Sequence, residues 1–166
     1  MGLVIMPERA ETLILLETNL DDMPAEWLGP LLDQLLAAGA LDAWFAPIQM
    51  KKNRPAVQLS VLCPPRQAAE LRALIFAHTS TLGIRERTVL RYSLPRRTET
   101  VDTRFGSIRM KLAEYAPGRW KAAPEFEDCL AAARAAGVSL AEVYAAALAA
   151  WERGECENSD GKPESR

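Results

Sequence analysis

The residue types most suited to chemistry in this chain are oxygen groups that would hold a hard cation and basic groups that would hold an anion. In Glu17-Thr18-Asn19-Leu20-Asp21-Asp22, strand alternation puts Glu17, Asn19 and Asp21 on one face near the end of an apolar segment. Carboxylate and amide oxygens grouped this way suit Mg2+ or Mn2+. A plainer role competes for part of the set, because Asp22 can cap the following helix while Asp21 adds favourable charge at its positive end. The expectation is that Asp22 is the cap and that Asp21 has a purpose beyond it.

The complementary groups follow at two connections. Lys51-Lys52-Asn53-Arg54-Pro55 concentrates three cations on a tight turn, where ammonium and guanidinium groups can clamp a polyphosphate; a merely solvated turn is the plainer alternative. Thr79-Ser80-Thr81-Leu82-Gly83-Ile84-Arg85 offers three hydroxyls, a glycine and an arginine, all useful against phosphate or ribose, though hydroxyls at a helix end also satisfy backbone groups. Glu125 and Asp128 are three apart, so on a helix they share a face and could bind a cation together. His78, the only histidine, is expected to be a packed or half-buried structural residue and is left out of the chemistry.

Charge is segregated along the chain in a way that supports this division. Seven acidic residues and no basic one lie between Arg9 and Lys51, whereas Arg85 to Lys111 carries eight Lys or Arg against Glu86, Glu99 and Asp102. An anion held through a metal ion fits between such segments if the fold brings them together. The overall balance is nearly even, 20 basic against 22 acidic residues, so generic affinity for nucleic acid or an anionic membrane is not implied. The three cysteines, Cys63, Cys129 and Cys156, are widely spaced and accompanied by a single histidine, which argues against disulfides and a Cys/His zinc site. Nucleophile-elbow, dinucleotide and P-loop patterns are absent. With no long apolar run and no signal-peptide pattern, the expected localisation is cytoplasmic.

The elements that must position these groups are readable from periodicity. Thr12 to Leu20 reads as a strand, and Trp27, Leu28, Leu31, Leu32, Leu35 and Leu36 form a helical stripe ending near Gly39, with Pro30 expected to kink it. Leu41 to Met50 and Ala56 to Cys63 read as a hairpin, Gln67 to His78 as a helix and Ile84 to Leu94 as a fourth strand. The order β-α-β-β-α-β predicts an α+β, ferredoxin-like domain at about residues 10–95. A small β-hairpin plus two-helix subdomain follows over residues 96–153: strands Thr98 to Thr103 and Ser107 to Ala113, a helix opened by Pro124, and another opened by the capping box Ser139-Leu140-Ala141-Glu142. Residues 154–166 read as a polar, disordered tail.

Taken together, Glu17-Thr18-Asn19-Leu20-Asp21-Asp22-Met23, Ala38-Gly39-Ala40-Leu41-Asp42, Pro47-Ile48-Gln49-Met50-Lys51-Lys52-Asn53-Arg54-Pro55, Thr79-Ser80-Thr81-Leu82-Gly83-Ile84-Arg85 and Pro124-Glu125-Phe126-Glu127-Asp128-Cys129 resemble the LarC nickel-insertion family. The ordered set carries the likeness, which covers about residues 11 to 150 and looks like the C-terminal domain of the longer LarC proteins, without their N-terminal domain. The chain departs from the pattern at His78, where relatives are expected to have an acidic residue, and after Lys111.

The resemblance implies a nickel chelatase, a cyclometallase of the lyase class. It would insert Ni2+ as substrate into pyridinium-3,5-bisthiocarboxylic acid mononucleotide, making the nickel-pincer nucleotide cofactor of lactate racemase. It further implies a CTP-binding module that uses Mn2+ or Mg2+, assembles as a homo-oligomer, and works with an N-terminal domain that could be supplied in trans. Onto that scheme the residues map as Lys51, Lys52 and Arg54 on the phosphates, Ser80, Thr81 and Arg85 positioning the nucleotide, and Asp21 with Glu17 or Glu125 holding the metal. Nickel finds no soft cage in three scattered cysteines and one histidine, which agrees with sulfur ligands coming from the substrate's thiocarboxylates. The competing reading is a non-catalytic nucleotide-sensing or oligomerisation domain; an RNA-binding module ranks last because Ala56 to Cys63 lacks stacking aromatics.

Overall fold

In a computed structural model of the chain, residues 9–159 are described, and side chains as far as residue 154. The chain divides into two compact units, Ala10–Tyr92 and the stretch from Ser93 onward.

The first unit contains strands β1 (Arg9–Leu20), β2 (Asp42–Met50), β3 (Arg54–Cys63) and β4 (Arg85–Ser93), with helices α1 (Leu28–Ala37) and α2 (Ala68–His78). The sheet order is β2-β3-β1-β4, and β3 lies antiparallel to both β1 and β2. This is the order of a ferredoxin-like sheet, with the crossover helices packed on one face. Register explains which face. Leu16 opposes Val61, which opposes Ala43, and Thr18 opposes Leu59, which opposes Phe45. These rows point toward α1 and α2, where Leu16, Leu59, Val61, Leu31, Leu35, Leu71 and Ile75 are buried in one cluster. Burying each such Leu or Ile side chain contributes about 1.5–3 kcal/mol relative to exposure. The alternate rows, Glu17 with Ser60 and Trp44, and Asn19 with Gln58 and Ala46, occupy the other face.

Local chemistry differs from expectation at the first helix. A 3-10 turn over Ala25–Trp27 leads into α1, and neither it nor α1 receives a side-chain cap, so Asp22 is not the cap. Pro30 does not kink α1 either; it falls in the first turn, where a backbone N–H would have no intrahelical partner. At the far end Gly39 takes φ +94°, and an added Cβ would meet the Gln67 side chain at 3.1 Å, so the residue is glycine for both reasons.

The second unit has strands β5 (Arg96–Thr103), β6 (Gly106–Ala116) and β7 (Arg119–Pro124) in an antiparallel sheet, followed by α3 (Phe126–Ala136) and α4 (Leu140–Ser159). Ile108, Met110 and Leu112 on one face of β6 pack with Cys129, Ala133, Val143 and Ala147 from the two helices. The expected hairpin is present with Gly106 at φ +110° closing it. The sequence reading did not assign β7. Pro124, expected to open a helix, is instead the last residue of that strand, and the sheet pairing holds one residue further, where Glu125 N–H donates to the Arg109 carbonyl at 2.8 Å before α3 begins. The capping box forms as expected, with Ser139 N–H and hydroxyl donating to Glu142 Oε2 at 3.0 and 2.9 Å. Helix α4 runs past Gly154 to Ser159, where a disordered tail was expected; residues 160–166 of that tail lie outside the described residues.

Candidate functional site

The site is assembled at one end of the first unit's sheet, where β1 leaves the sheet and the β2–β3 turn and the α2–β4 loop converge. Residues Glu17 and Asn19 occupy the helix-free face of β1, with Asp21 just past its last residue, and basic residues from both neighbours reach them. Arg54 Nη1 donates to Asp21 Oδ2 at 3.1 Å, Arg85 Nη2 to Asn19 Oδ1 at 2.8 Å, and Arg87 Nη2 to Glu17 Oε2 at 2.6 Å. Gln58 Nε2 also donates to Glu17 Oε1, at 2.5 Å. Further along, Arg91 donates twice to Glu11 Oε1, at 3.0 and 2.8 Å. The acidic early strand and the basic later one therefore meet side by side, which is how the segregated charge of the sequence is resolved in space.

Lys51 and Lys52 sit in the tight turn between β2 and β3, both exposed. Among the described residues no carboxylate lies within ion-pair distance of either. The turn has Lys52 at φ 61° and Asn53 at φ 58°, two left-handed positions in succession without a glycine, and Gln49 Nε2 donates to Asn53 Oδ1 at 2.8 Å across it. Two adjacent cations are thus held at a strained tip beside the Arg54–Asp21 pair.

The loop after α2 is fixed from below. Thr79 caps α2 by donating its hydroxyl to the Ile75 carbonyl at 2.7 Å. Thr18, 1% exposed on β1, has its hydroxyl 2.5 Å from that of Thr81, and both reach the Gly83 carbonyl at 2.9 Å. A buried hydroxyl is tolerable only with such partners. Ser80 is left exposed and donates to Asp22 Oδ1. An open cleft of about 420 Å³ lies here, lined by Asp22, Met23, Pro24, Trp27, His78 and Ser80 among others. His78, expected to be packed or half-buried, is exposed at the last residue of α2 and lines this cleft.

The metal-ligand candidates divide between the units. Asp21 and Glu17 are the pair just described, with 18% and 12% of their side chains exposed. Glu125 belongs to the second unit, where it precedes α3 and takes Lys111 Nζ at 2.8 Å. Asp128, proposed to share a cation with it, is instead held by Arg109, whose Nε and Nη2 donate at 2.8 and 2.7 Å and whose backbone N–H donates at 3.0 Å. Those hydrogen bonds lower the Asp128 carboxyl to about 2. Among the described residues no three His, Cys, Asp or Glu side chains gather into a metal cage. The set fits a divalent ion carried by phosphate oxygens and anchored by one carboxylate, since Asp21 Oδ1 has no hydrogen-bond partner among the described residues. Both Cys63 and Cys129 are buried, and desolvation raises their thiols, leaving them protonated and poor ligands for nickel.

Sequence reasoning missed Arg87, Gln58, Trp27 and His78 as members of this end of the sheet. Arg87 carried a signal, the same two-residue alternation that singled out Glu17, Asn19 and Asp21. Gln58 and Trp27 carried none, because their places depend on strand register and on the approach of two helix ends. Among the described residues no single helix is long and apolar enough to cross a membrane.

A family profile described as nickel insertion protein matches residues 3–144. The pyridinium-3,5-bisthiocarboxylic acid mononucleotide nickel insertion protein of Acetivibrio thermocellus is 43% identical over 134 residues, covering 81% of this chain and 33% of that protein. A relative from Pelobacter propionicus with a nickel-insertion designation is 46% identical over 136 residues, covering 82% of this chain and 35% of its own. The chain thus spans about a third of the length of these relatives. In structure it is similar to LarC2, the C-terminal domain of a cyclometallase involved in the synthesis of the NPN cofactor of lactate racemase, in its apo form. That likeness has a TM-score of 0.82 and 40% identity, covering 87% of this chain and 99% of the solved one. A Methanopyrus kandleri protein follows at TM-score 0.60 and 29% identity, covering 85% and 89%. Profile, relatives and structure agree that the chain belongs to the nickel insertion protein family.

Proposed function

We propose that this chain is the nucleotide- and metal-binding C-terminal part of a cyclometallase that inserts Ni2+ into pyridinium-3,5-bisthiocarboxylic acid mononucleotide, with CTP as the domain's ligand. The observation that carries the nucleotide reading is the β2–β3 tip, where Lys51 and Lys52 stand uncompensated beside the Arg54–Asp21 pair. Lys51, Lys52 and Arg54 neutralise the phosphates; Ser80 and Arg85 position the nucleotide, and Thr81 does so by fixing the loop that carries Ser80. Asp21 anchors Mn2+ or Mg2+, with Glu17 as the further carboxylate. When bound, the ion offsets triphosphate charge and sets the phosphate geometry. Hydrolysis or release of CTP is coupled to nickel insertion, and the remainder of the longer protein, or a separate N-terminal domain, delivers nickel and substrate.

The test is Asp21→Asn, with CTP affinity measured calorimetrically in Mn2+ and in chelator. The variant loses affinity in Mn2+ by about tenfold or more, the value of a charge-assisted contact. Without metal it binds as well as or better than wild type, because Arg54 is freed for phosphate. Equal affinity in both conditions, with unchanged nickel-pincer formation in the presence of the N-terminal domain, removes Asp21 from the mechanism.

The same proposal includes self-association, supported by the helix-free sheet face, on which Trp44 is 40% exposed. Sedimentation of the chain at rising concentration reads it, and a monomer throughout counts against it. A non-catalytic nucleotide sensor is the alternative, identified by CTP that binds but is never turned over when the N-terminal domain, nickel and substrate are present.

A further inference from the structure

The sheet of the second unit carries helices on one face only. Ile108, Met110 and Leu112 turn inward from β6 onto α3 and α4, so alternation sends Arg109, Lys111 and Ala113 to the open face. Charge is disposed unevenly along that face. Toward α3, Arg109 and Lys111 are answered by Asp128 and Glu125 at 2.7 and 2.8 Å. At the other end Ala113 is opposed by Arg96 on β5 and by Lys121 on β7, in a single cross-strand row. Both cations are exposed, and among the described residues no carboxylate lies within ion-pair distance of either.

Adjacent strands stand about 4.8 Å apart, so the two cations rise from backbones about 10 Å apart, with only a methyl group between them. The row is a shallow trough, charged on each side and floored by Ala113. Tyr115 stands beside one wall, its ring centroid 5.7 Å from Lys121 Nζ. The two charged heads differ in kind. A guanidinium grips a phosphate through two parallel N–H donors, whereas an ammonium meets a carboxylate as a point charge. The row therefore suits a small molecule with an anionic group at each end and a flat middle.

The substrate in the proposal above has that form, with a phosphate at one end of a ribose and a pyridinium ring bearing two thiocarboxylates at the other. Its anionic groups outweigh the positive charge of the ring. We infer that this row of the second unit receives the pyridinium mononucleotide, with Arg96 on the phosphate, Lys121 on a thiocarboxylate and the ring over Ala113. The ammonium takes the hard oxygen of the thiocarboxylate and leaves the soft sulfur to nickel. The inference rests on the nickel-insertion reading and gives the substrate a place apart from the CTP site.

The experiment uses two probes: nicotinate mononucleotide, a pyridinium mononucleotide with one ring carboxylate, and nicotinamide mononucleotide, whose amide is uncharged. Each is titrated calorimetrically into the full chain for wild type, Arg96→Ala and Lys121→Ala, with inorganic phosphate as control. Both side chains are exposed, so the variants are expected to fold as wild type does. Wild type is expected to bind the nicotinate form about fivefold more tightly than the nicotinamide form, the upper value of an exposed ion pair. Arg96→Ala should weaken both by a similar factor, and Lys121→Ala should erase the difference between them. CTP affinity in Mn2+ should stay unchanged in both variants. Equal affinities in wild type, a difference kept in Lys121→Ala, or binding no tighter than that of phosphate overturns the inference. Tighter binding of a single-stranded RNA oligonucleotide also overturns it, by making the face a nucleic-acid surface. If CTP displaces nicotinate mononucleotide, the two share the first unit's site, and the inference fails while the nucleotide reading stands. Loss of CTP binding in wild type with the probe still held has the opposite meaning.

Discussion

Both units use arginine–carboxylate pairs at a sheet, yet to opposite ends. In the second unit Arg109 and Lys111 on β6 reach Asp128 and Glu125 at the start of α3, and every charge in the group has a partner. The pairs close a helix terminus, where carboxylates are favoured by the macrodipole and the strand amide adds a third bond to Asp128. In the first unit Arg54 and Arg87 likewise take Asp21 and Glu17, but Arg85 reaches only the neutral Asn19 amide, and the two lysines beside them have no carboxylate partner among the described residues. A saturated cluster holds structure together; an unsaturated one has capacity left for something else. The difference lies in what remains unpaired after folding rather than in how many ion pairs exist.

The largest expected effect on this contrast comes from beneath the unsaturated end. Thr18→Val keeps the shape of a buried side chain but strips the hydroxyl that Thr81 and Gly83 share. Leaving such groups short of a partner costs about 1–3 kcal/mol. Chemical denaturation should show that loss, and hydrogen exchange should show faster opening at residues 79–84 than elsewhere. Unchanged stability would mean that the loop is held by other contacts. A smaller effect, of mixed sign, is expected at the tip. Lys52→Gly relieves a left-handed lysine and should stabilise the fold by up to about 1 kcal/mol, while weakening CTP binding. A variant that is more stable and binds equally well would show that the tip is only a turn.

The smallest effect is an acid dependence confined to the saturated cluster. The Asp128 carboxyl is lowered from its ordinary 3.8 to about 2 by Arg109. A carboxylate depressed in the folded state contributes stability that is complete above its unfolded value and is lost as pH falls from about 4 toward 2. Asp128→Asn should therefore be less stable than wild type at neutral pH and converge with it only as pH falls through about 2. A constant difference across that range would contradict the assignment, and CTP affinity should be unmoved throughout.

Much of the first unit was legible because its periods are clean: Leu31, Leu35, Leu71 and Ile75 recur helically, and Val57, Leu59 and Val61 alternate. The second was less so. The segment Lys121-Ala122-Ala123-Pro124 has the composition of a helix start, and only its pairing with β6, a tertiary choice, makes it a strand. Asp22 reads as a cap because aspartate before a proline-led helix usually is one, and it loses that role when a 3-10 turn intervenes. At the site, residue types were readable, whereas partners were not. Nothing local in Arg87 announces Glu17, seventy positions earlier.

The arginines of β4 have one more consequence. Arg85, Arg87 and Arg91 meet Asn19, Glu17 and Glu11 in an order that runs oppositely along the two strands, and all three stand on the helix-free side of an edge strand. Strand side chains alternate, so sliding β4 by one residue would turn all three guanidinium groups toward the leucine core and set Glu86, Thr88 and Tyr92, or Ile84, Glu86 and Leu90, opposite Asn19, Glu17 and Glu11. Each alternative alignment buries cations without partners. The row therefore works as a key for strand register during folding, and its arginines make a poor template for a foreign strand seeking the same edge.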